Sequence, residues 1–333
     1  MFNVCHKKHT VVSGFKVSII IPVYKAERYI RKCAESLFAQ TLDNIEYIFV
    51  DDCTPDASID ILKDVMQAYP DRTGSVTIHH MPSNSGQAAA RNAGLSLAGG
   101  EYVIHCDPDD WMDIDYIEKL YQRATNGNYD VVVGNFKEHI NGMDKDHSLM
   151  LDLKSPSEAY LSKEYVLYTT WLYLVRLSII RDNNIRFFDG INCSEDWGFL
   201  IRTMFYCKSI SHEPSSYYHY QKDNQYSITS NGNIRTKIAQ HTECLRLIDK
   251  FFSDNHVNTS QCLAILRAKR DIKNRYLKWN EFKNWKKIFP EAALYEFRYS
   301  EAGLPYRITY LLSQYMGSWL IKAFYKITAR KTN

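Results

Sequence analysis

Tyr102-Val103-Ile104-His105-Cys106-Asp107-Pro108-Asp109-Asp110-Trp111 is an apolar run that ends in a knot of acids. A short buried strand stopped by a turn signal is how a central strand of an α/β sheet reads. Like charges cannot be buried together without compensation. A divalent cation is the simplest one, because carboxylates are hard ligands for Mg²⁺ or Mn²⁺ and a site with few protein ligands leaves room for phosphate oxygens. Open α/β sheets bind ligands beyond the carboxyl ends of their strands, where these acids stand. A bland alternative is an acidic turn capping the next helix.

Working outward, Val17 to Pro22 reads as a β-branched strand, and Tyr24 stands at its top. Ala26 to Ala39 follows as a helix. Tyr47 to Val50 is a second strand, stopped by Asp51 and Asp52, and Ile59 to Tyr69 repeats at helical spacing. Val76 to His80 is a third strand. The loop Asn84-Ser85-Gly86 opens a helix from Gln87 to Leu97 that carries Arg91 and Asn92. After the acidic strand come a helix near Ile114 to Ala124 and a strand from Tyr129 to Gly134. Such alternation predicts right-handed βαβ units and a mainly parallel sheet, with Asp51/Asp52 and Asp107 to Asp110 facing one crevice.

The stretch from His139 to Lys163 is polar and without a clear period. Tyr165 to Ile180 reads as helical around Trp171 and Leu174. Ser194 reads as the N-cap of a helix that buries Trp197, Leu200, Ile201 and Met204. Ile210 to Glu213 and Tyr217 to Tyr220 read as short strands. Beyond Ser230 the pattern is helical, with one helix through Ile234 and Phe252 and another from Leu263 to Trp279. From Tyr306 to Lys331 a broad apolar face with Trp319 ends in Lys322, Lys326, Arg330 and Lys331. This suits either a helix in a membrane interface or a terminal helix packed on its own domain.

The chain's 333 residues allow one large or two modest domains, and its net charge of +3 demands no nucleic-acid partner. Its 24 Tyr suit partly wet grooves. Eight scattered Cys without Cys-x-x-Cys spacing read as reduced packing residues of a cytosolic protein, not a zinc site. No apolar run is long enough for a signal peptide or a membrane span. His105 reads as a packed core histidine, and His219, among tyrosines, as a flank of the crevice. There is no Gly-x-Gly-x-x-Gly and no Gly-Lys-Ser/Thr loop, so dinucleotide oxidoreductases and P-loop enzymes are poor readings. An aromatic ring with a carboxylate can instead hold a nucleobase: Tyr24 would stack, and Asp52 would accept the imide N–H of uracil.

Pro22-Val23-Tyr24, Val50-Asp51-Asp52 before Thr54 and Asp56, Ala90-Arg91-Asn92-Ala93-Gly94 and Glu101 to Asp110 occur in an order that resembles the inverting nucleotide-sugar glycosyltransferases of family 2. The resemblance is strong over residues 15 to 136. It continues more weakly to about 228 through Glu195-Asp196 and Tyr217 to Ser227. It implies an α/β GT-A fold, Rossmann-like, with a mainly parallel central sheet flanked by helices. That domain would span 15–230, after a leader at 1–14 and before a helical C-terminal region at 231–333 with an interfacial helix at 306–331. Position by position, it implies that Pro22, Tyr24, Asp51 and Asp52 line the nucleoside pocket, with Asp51 alternatively bracing the loop. Arg91 would lie near the diphosphate. Asp107 would reach the ribose or metal-bound water, Asp109 the Mn²⁺ or Mg²⁺, and Asp110 would share its shell. Asp196 would be the general base, with Glu195 its rival.

The activity implied is metal-dependent transfer of a hexose or N-acetylhexosamine from a UDP-sugar to a saccharide or lipid-linked saccharide. That would serve cell-surface polysaccharide, capsule or lipopolysaccharide synthesis, in the cytoplasm or on the cytoplasmic face of the inner membrane. A non-catalytic nucleotide-sugar or glycan-binding module is the alternative. A metal-dependent nucleotidyltransferase would need a Gly-rich basic loop that Pro22 to Ala26 lacks.

Overall fold

The computed structural model describes residues 14–147, 155–156, 169–223, 233–317 and 319–323. These fall into two compact units, one formed by the described residues up to 223 and one by those from 233 onward.

The first unit is built on a mixed sheet of nine strands among the described residues, in the order β3-β2-β1-β4-β8-β6-β9-β5, with β7 paired to β6. Strand β1 (Val17–Val23) is buried along its whole length, in keeping with its Val and Ile content. It lies parallel to β2 (Ile45–Asp51) and to β4 (Tyr102–His105), and β3 (Val76–His80) extends the parallel half beyond β2. Helix α1 (Ile30–Phe38) covers this half with Ile30, Cys33, Ala34, Leu37 and Phe38. Helix α2 (Ser58–Gln67), the single turn α3 (Pro70–Thr73) and α4 (Gln87–Leu97) complete the crossovers. The bounds of β3 and α4 match the sequence expectation.

Beyond β4 the sheet changes character. The two-residue strand β5 (Trp111–Met112) precedes α5 (Tyr116–Asn126). Strand β6 (Val131–Ile140) is longer than expected, because its second half forms a hairpin with β7 (Met143–His147). The two short strands expected near 210–220 are one strand, β9 (Ile210–Gln221), whose ladder to β6 shifts register between Val133 and Asn135. Asn135 holds that irregularity, donating to the Pro214 carbonyl at 3.1 Å and meeting His212 Nε2 at 2.8 Å.

The helix expected over Tyr165 to Ile180 is corrected. Residues 157–168 lie outside the described set. Thr170–Leu172 is a 3-10 turn, β8 (Tyr173–Arg176) follows, and helix α6 (Leu177–Asp182) begins only there. β8 is antiparallel to both β4 and β6, and its Tyr173, Leu174 and Val175 are all buried, so its apolar run shows no strand alternation. Helix α7 (Glu195–Tyr206) starts after Ser194, which occupies the cap position in the left-handed region (φ 67°) and makes no side-chain capping bond.

The second unit is helical: α8 (Ile234–Asp254), α9 (Leu263–Lys278), α10 (Phe282–Lys287), α11 (Ala292–Tyr299) and α12 (Leu304–Tyr315). Leu277, Trp285, Ala293, Tyr310 and Ile321 form its core. The Lys273 ammonium is buried among them and donates to the carbonyls of Trp285 and, at 2.9 Å, Ile288. The single helix expected from 306 to 331 is also corrected: α12 stops at Tyr315, Met316 and Gly317 interrupt it, and residues 319–323 are helical again. Phe324, Lys326, Ile327, Arg330 and Lys331 lie outside the described residues.

Candidate active site

The sheet places its acids as the strand order predicts. The register pairs Val23 with Asp51, and the Asp52 N–H donates to the Val23 carbonyl at 3.0 Å. Tyr24 and Asp52 are therefore neighbours at the tops of β1 and β2. Pro22 is buried, whereas Tyr24 is 42% exposed, with Lys25 Nζ 5.3 Å from its ring centre.

The two acids at the end of β2 brace loops. Asp51 accepts from the Thr54 N–H at 2.8 Å and pairs with His80 Nδ1 at 2.8 Å. Asp52 accepts from the N–H groups of Ser85 at 2.7 Å and Gly86 at 2.8 Å, one on each oxygen. An imide N–H would have to share an oxygen that already serves this loop. Gly86 is needed for two reasons. Its φ of 87° is left-handed territory, and a Cβ there would stand 2.5 Å from the Asn192 side chain. That Asn192 side chain accepts from the Ala88 N–H at 3.1 Å, in the first turn of α4.

Each residue of the α4 motif has a separate task. Gly94 lets the helix lie against β1, since a Cβ there would come within 2.3 Å of Ile20 Cγ2. Asn92 clasps the Phe187 backbone, donating to its carbonyl at 3.0 Å and accepting its N–H at 2.8 Å. Arg91 is 1% exposed and carries the centre of the site. Its Nη2 donates to Asp107 Oδ1 at 2.8 Å, and Nη1 donates to Glu195 Oε1 at 3.1 Å and to Asp196 Oδ1. Gln87, one turn earlier, also donates to Asp107 Oδ1, at 3.0 Å. One cation thus ties the end of β4 to the start of α7.

The electrostatics follow. Burial disfavours the Arg91 charge, but Asp196, Asp107 and Glu195 more than offset it. Burial and then Asp196 push Glu195 up to about 7, against the pull of Arg91. Burial also raises Asp196, opposed first by Arg91. Thr170 orients Asp196, its N–H donating to Oδ2 at 3.1 Å and its hydroxyl to Oδ1 at 3.2 Å. Sequence reasoning missed Thr170 because it lay inside the supposed helix. Gln87 and Asn192 carried no signal of their own.

The acidic knot divides. Asp107 and Asp109 are half-buried at the end of β4. Asp110, expected in a metal shell, points into the core with 1% exposure. It accepts from the Tyr218 hydroxyl at 2.6 Å and the Gln221 N–H at 2.7 Å, so both oxygens have protein donors. Burial, with Asp109 and Asp107 nearby, raises its carboxyl well above the usual range. The donor set of Asp107 and Asp109 is two hard carboxylates, which suits a divalent cation completed by phosphate oxygens. Among the described residues no three His, Cys, Asp or Glu side chains form a closed metal cluster.

The two histidines lie apart from this chemistry. His105 is buried with its ring edge-on to Phe187 and Phe199, and burial holds it neutral. His219 stacks on Trp111 at 5.0 Å and lies 2.8 Å from Asp113 Oδ1 and 2.9 Å from His139 Nε2. Both of its ring nitrogens are engaged within the protein.

Comparison with known proteins agrees with this architecture. The family model described as "Glycosyl transferase family 2" matches residues 18–189, just over half of the chain. A "Putative glycosyltransferase EpsH" of Bacillus subtilis (strain 168) is 34% identical over 214 residues, covering 62% of this chain and 60% of that protein. A "Poly(ribitol-phosphate) beta-glucosyltransferase" of Bacillus spizizenii is 30% identical over 207 residues, covering 62% of this chain and 32% of the relative. The chain thus spans less than two thirds of these relatives' lengths. The solved structure of S. aureus TarS 1–349 in complex with UDP-GlcNAc superposes with a TM-score of 0.62 over 94% of this chain and 92% of that one. At 19% identity that is a likeness of fold, which is GT-A.

Proposed function

The chain belongs to glycosyl transferase family 2, and on that premise we propose that it is an inverting glycosyltransferase. It moves a hexose or N-acetylhexosamine from a UDP-sugar to a saccharide or lipid-linked saccharide of a cell-surface polysaccharide, capsule or lipopolysaccharide. The observation that carries this reading is Arg91, which joins Asp107 of the donor side to the Glu195–Asp196 pair. Two similar proteins support the substrate class: one is named for glucosyl transfer to poly(ribitol-phosphate), and the other was solved with UDP-GlcNAc.

The proposed roles draw on the contacts of each residue. Exposed Tyr24 offers its face to the base, beside the loop that Asp52 holds closed. Asp109 and Asp107 would hold Mn²⁺ or Mg²⁺, which when bound supplies positive charge to the leaving diphosphate. Asp196, oriented by Thr170 and Arg91, takes the proton of the acceptor hydroxyl. The acceptor oxygen bonds to the anomeric carbon as the bond to phosphate breaks, UDP departs, and an α-linked donor yields a β-glycoside. A second reading makes Glu195 the base, favoured by its position near 7, where a general base works well at neutral pH.

The test is binding and slow hydrolysis of UDP-, GDP-, dTDP- and CMP-sugars with Mn²⁺ present. One UDP-sugar should bind and turn over, Asp109→Ala should lose binding, and Asp196→Asn should keep binding but lose turnover. Failure of every nucleotide sugar to bind would leave no support for this reading of the crevice.

A further inference from the structure

Helix α12 buries Tyr310, Ser313 and Gln314 and leaves a row of apolar residues exposed. Its inward side carries Tyr310 into the core of the second unit, with Leu311 packed beside it. A helix packed on its own domain normally turns charge outward. The outward stripe here is Leu304, Ile308, Leu312 and Tyr315, spaced at i, i+4, i+8 and i+11, and all four are more than 40% exposed. Met316 (70%) and Trp319 (65%) continue it beyond the helix end. Ile321 is buried in the core, which anchors the turn that carries Trp319. Scattered exposed apolar residues are ordinary on a surface, but a continuous stripe of six marks a contact site.

The charge pattern selects the occupant. Residues 302–333 contain Arg307, Lys322, Lys326, Arg330 and Lys331 and no acid, an excess larger than the net +3 of the whole chain. Arg307, the only charged residue of α12, is turned to the Phe297 carbonyl and takes no part in the outward stripe. Lys322 is exposed next to Trp319. A second copy of this chain would bring the same positive charge against it. A layer of anionic headgroups over acyl chains matches both properties, with Tyr315 and Trp319 suited to the headgroup boundary and each lysine adding to the attraction. No helix among the described residues is long and apolar enough to cross a membrane, so contact by this stripe lies in the interface plane.

We propose that the stripe from Leu304 to Trp319, with exposed Lys322 after it, docks this protein onto a bilayer rich in anionic lipid. The stripe belongs to the second unit and the crevice residues to the first, and its test reads no turnover, so the two proposals fail separately.

The full chain would be sedimented with vesicles of phosphatidylcholine alone and with ~30% phosphatidylglycerol added, at low and high NaCl. Binding to the anionic vesicles should exceed binding to the neutral ones at least tenfold and fall with salt. Leu312→Ser and Trp319→Ser should each weaken it several-fold, and Lys322→Glu should weaken it and flatten the salt dependence. Ile114→Ser, at an exposed apolar residue of the first unit, should bind as the parent does, and circular dichroism would verify folding throughout. Equal binding to both vesicle types, no binding, or no effect of Leu312→Ser and Trp319→Ser would overturn the proposal. So would a dimer in solution that Leu312→Ser dissociates, since the stripe would then be covered by a second copy.

Discussion

Arg91 Nη2 lies 2.8 Å from Asp107 Oδ1, a contact that joins an almost fully buried helix residue to the half-buried acid at the end of the central strand. The same guanidinium holds Glu195 and Asp196. Three acids therefore depend on one cation for their placement and charge balance.

Removing that cation should be costly. Arg91→Ala leaves Asp107, Glu195 and Asp196 facing one another, and breaking a buried pair this way typically costs about 3–5 kcal/mol. Arg91→Lys should recover only part, because an ammonium cannot reach both sides as the planar fork does. Denaturant unfolding measures both; a loss below ~1 kcal/mol for Arg91→Ala would show that the cluster is not held as described.

The acid pair should set the pH dependence of turnover. Burial and Asp196 raise Glu195 to about 7, so its charged form declines as pH falls through that value. The transfer rate should drop on the acid side of about pH 7, and Glu195→Gln should move that limb to lower pH or abolish it. An unchanged limb in Glu195→Gln would assign the titration to another group.

Asp109 and Asp110 should behave oppositely despite being adjacent. Asp110→Asn can keep one acceptor for Tyr218 or Gln221 and should leave Mn²⁺-dependent donor binding within a few-fold of the parent. Asp109→Ala should abolish it. Calorimetric titration of UDP with and without Mn²⁺ separates the two, and equal losses would return Asp110 to the metal shell.

Close packing of α4 on β1 gives a test that involves no catalytic group. Gly94→Ala would press a methyl onto Ile20 and should destabilise by about 1–3 kcal/mol. Thermal unfolding reads this directly, and a neutral result would mean that the helix can shift away from the strand.

Much of this was legible because the parallel half of the sheet follows local rules. β3 and α4 are bounded by strong turn and cap signals, and their limits could be read to the residue. The mixed half beyond β4 could not. Tyr173, Leu174 and Val175 are all apolar and buried in a strand between β4 and β6, and such a run lacks the alternation that separates strand from helix. The fate of Asp110 was equally hidden: three nearby acids are alike in sequence, and only the approach of Tyr218 from β9 turns one of them inward. Thr170 gave no signal because its partner Asp196 is 26 residues away.

The most direct test of the central claim compares Asp196→Asn with the parent for donor binding and for sugar release from a UDP-sugar with Mn²⁺ present. Unchanged donor affinity with turnover reduced at least 100-fold is the predicted result, in line with the ~10²–10⁴-fold contribution of a general base. Normal turnover in Asp196→Asn would contradict its role as the base, and if Glu195→Gln also turned over normally, no member of the pair held by Arg91 could be the proton acceptor.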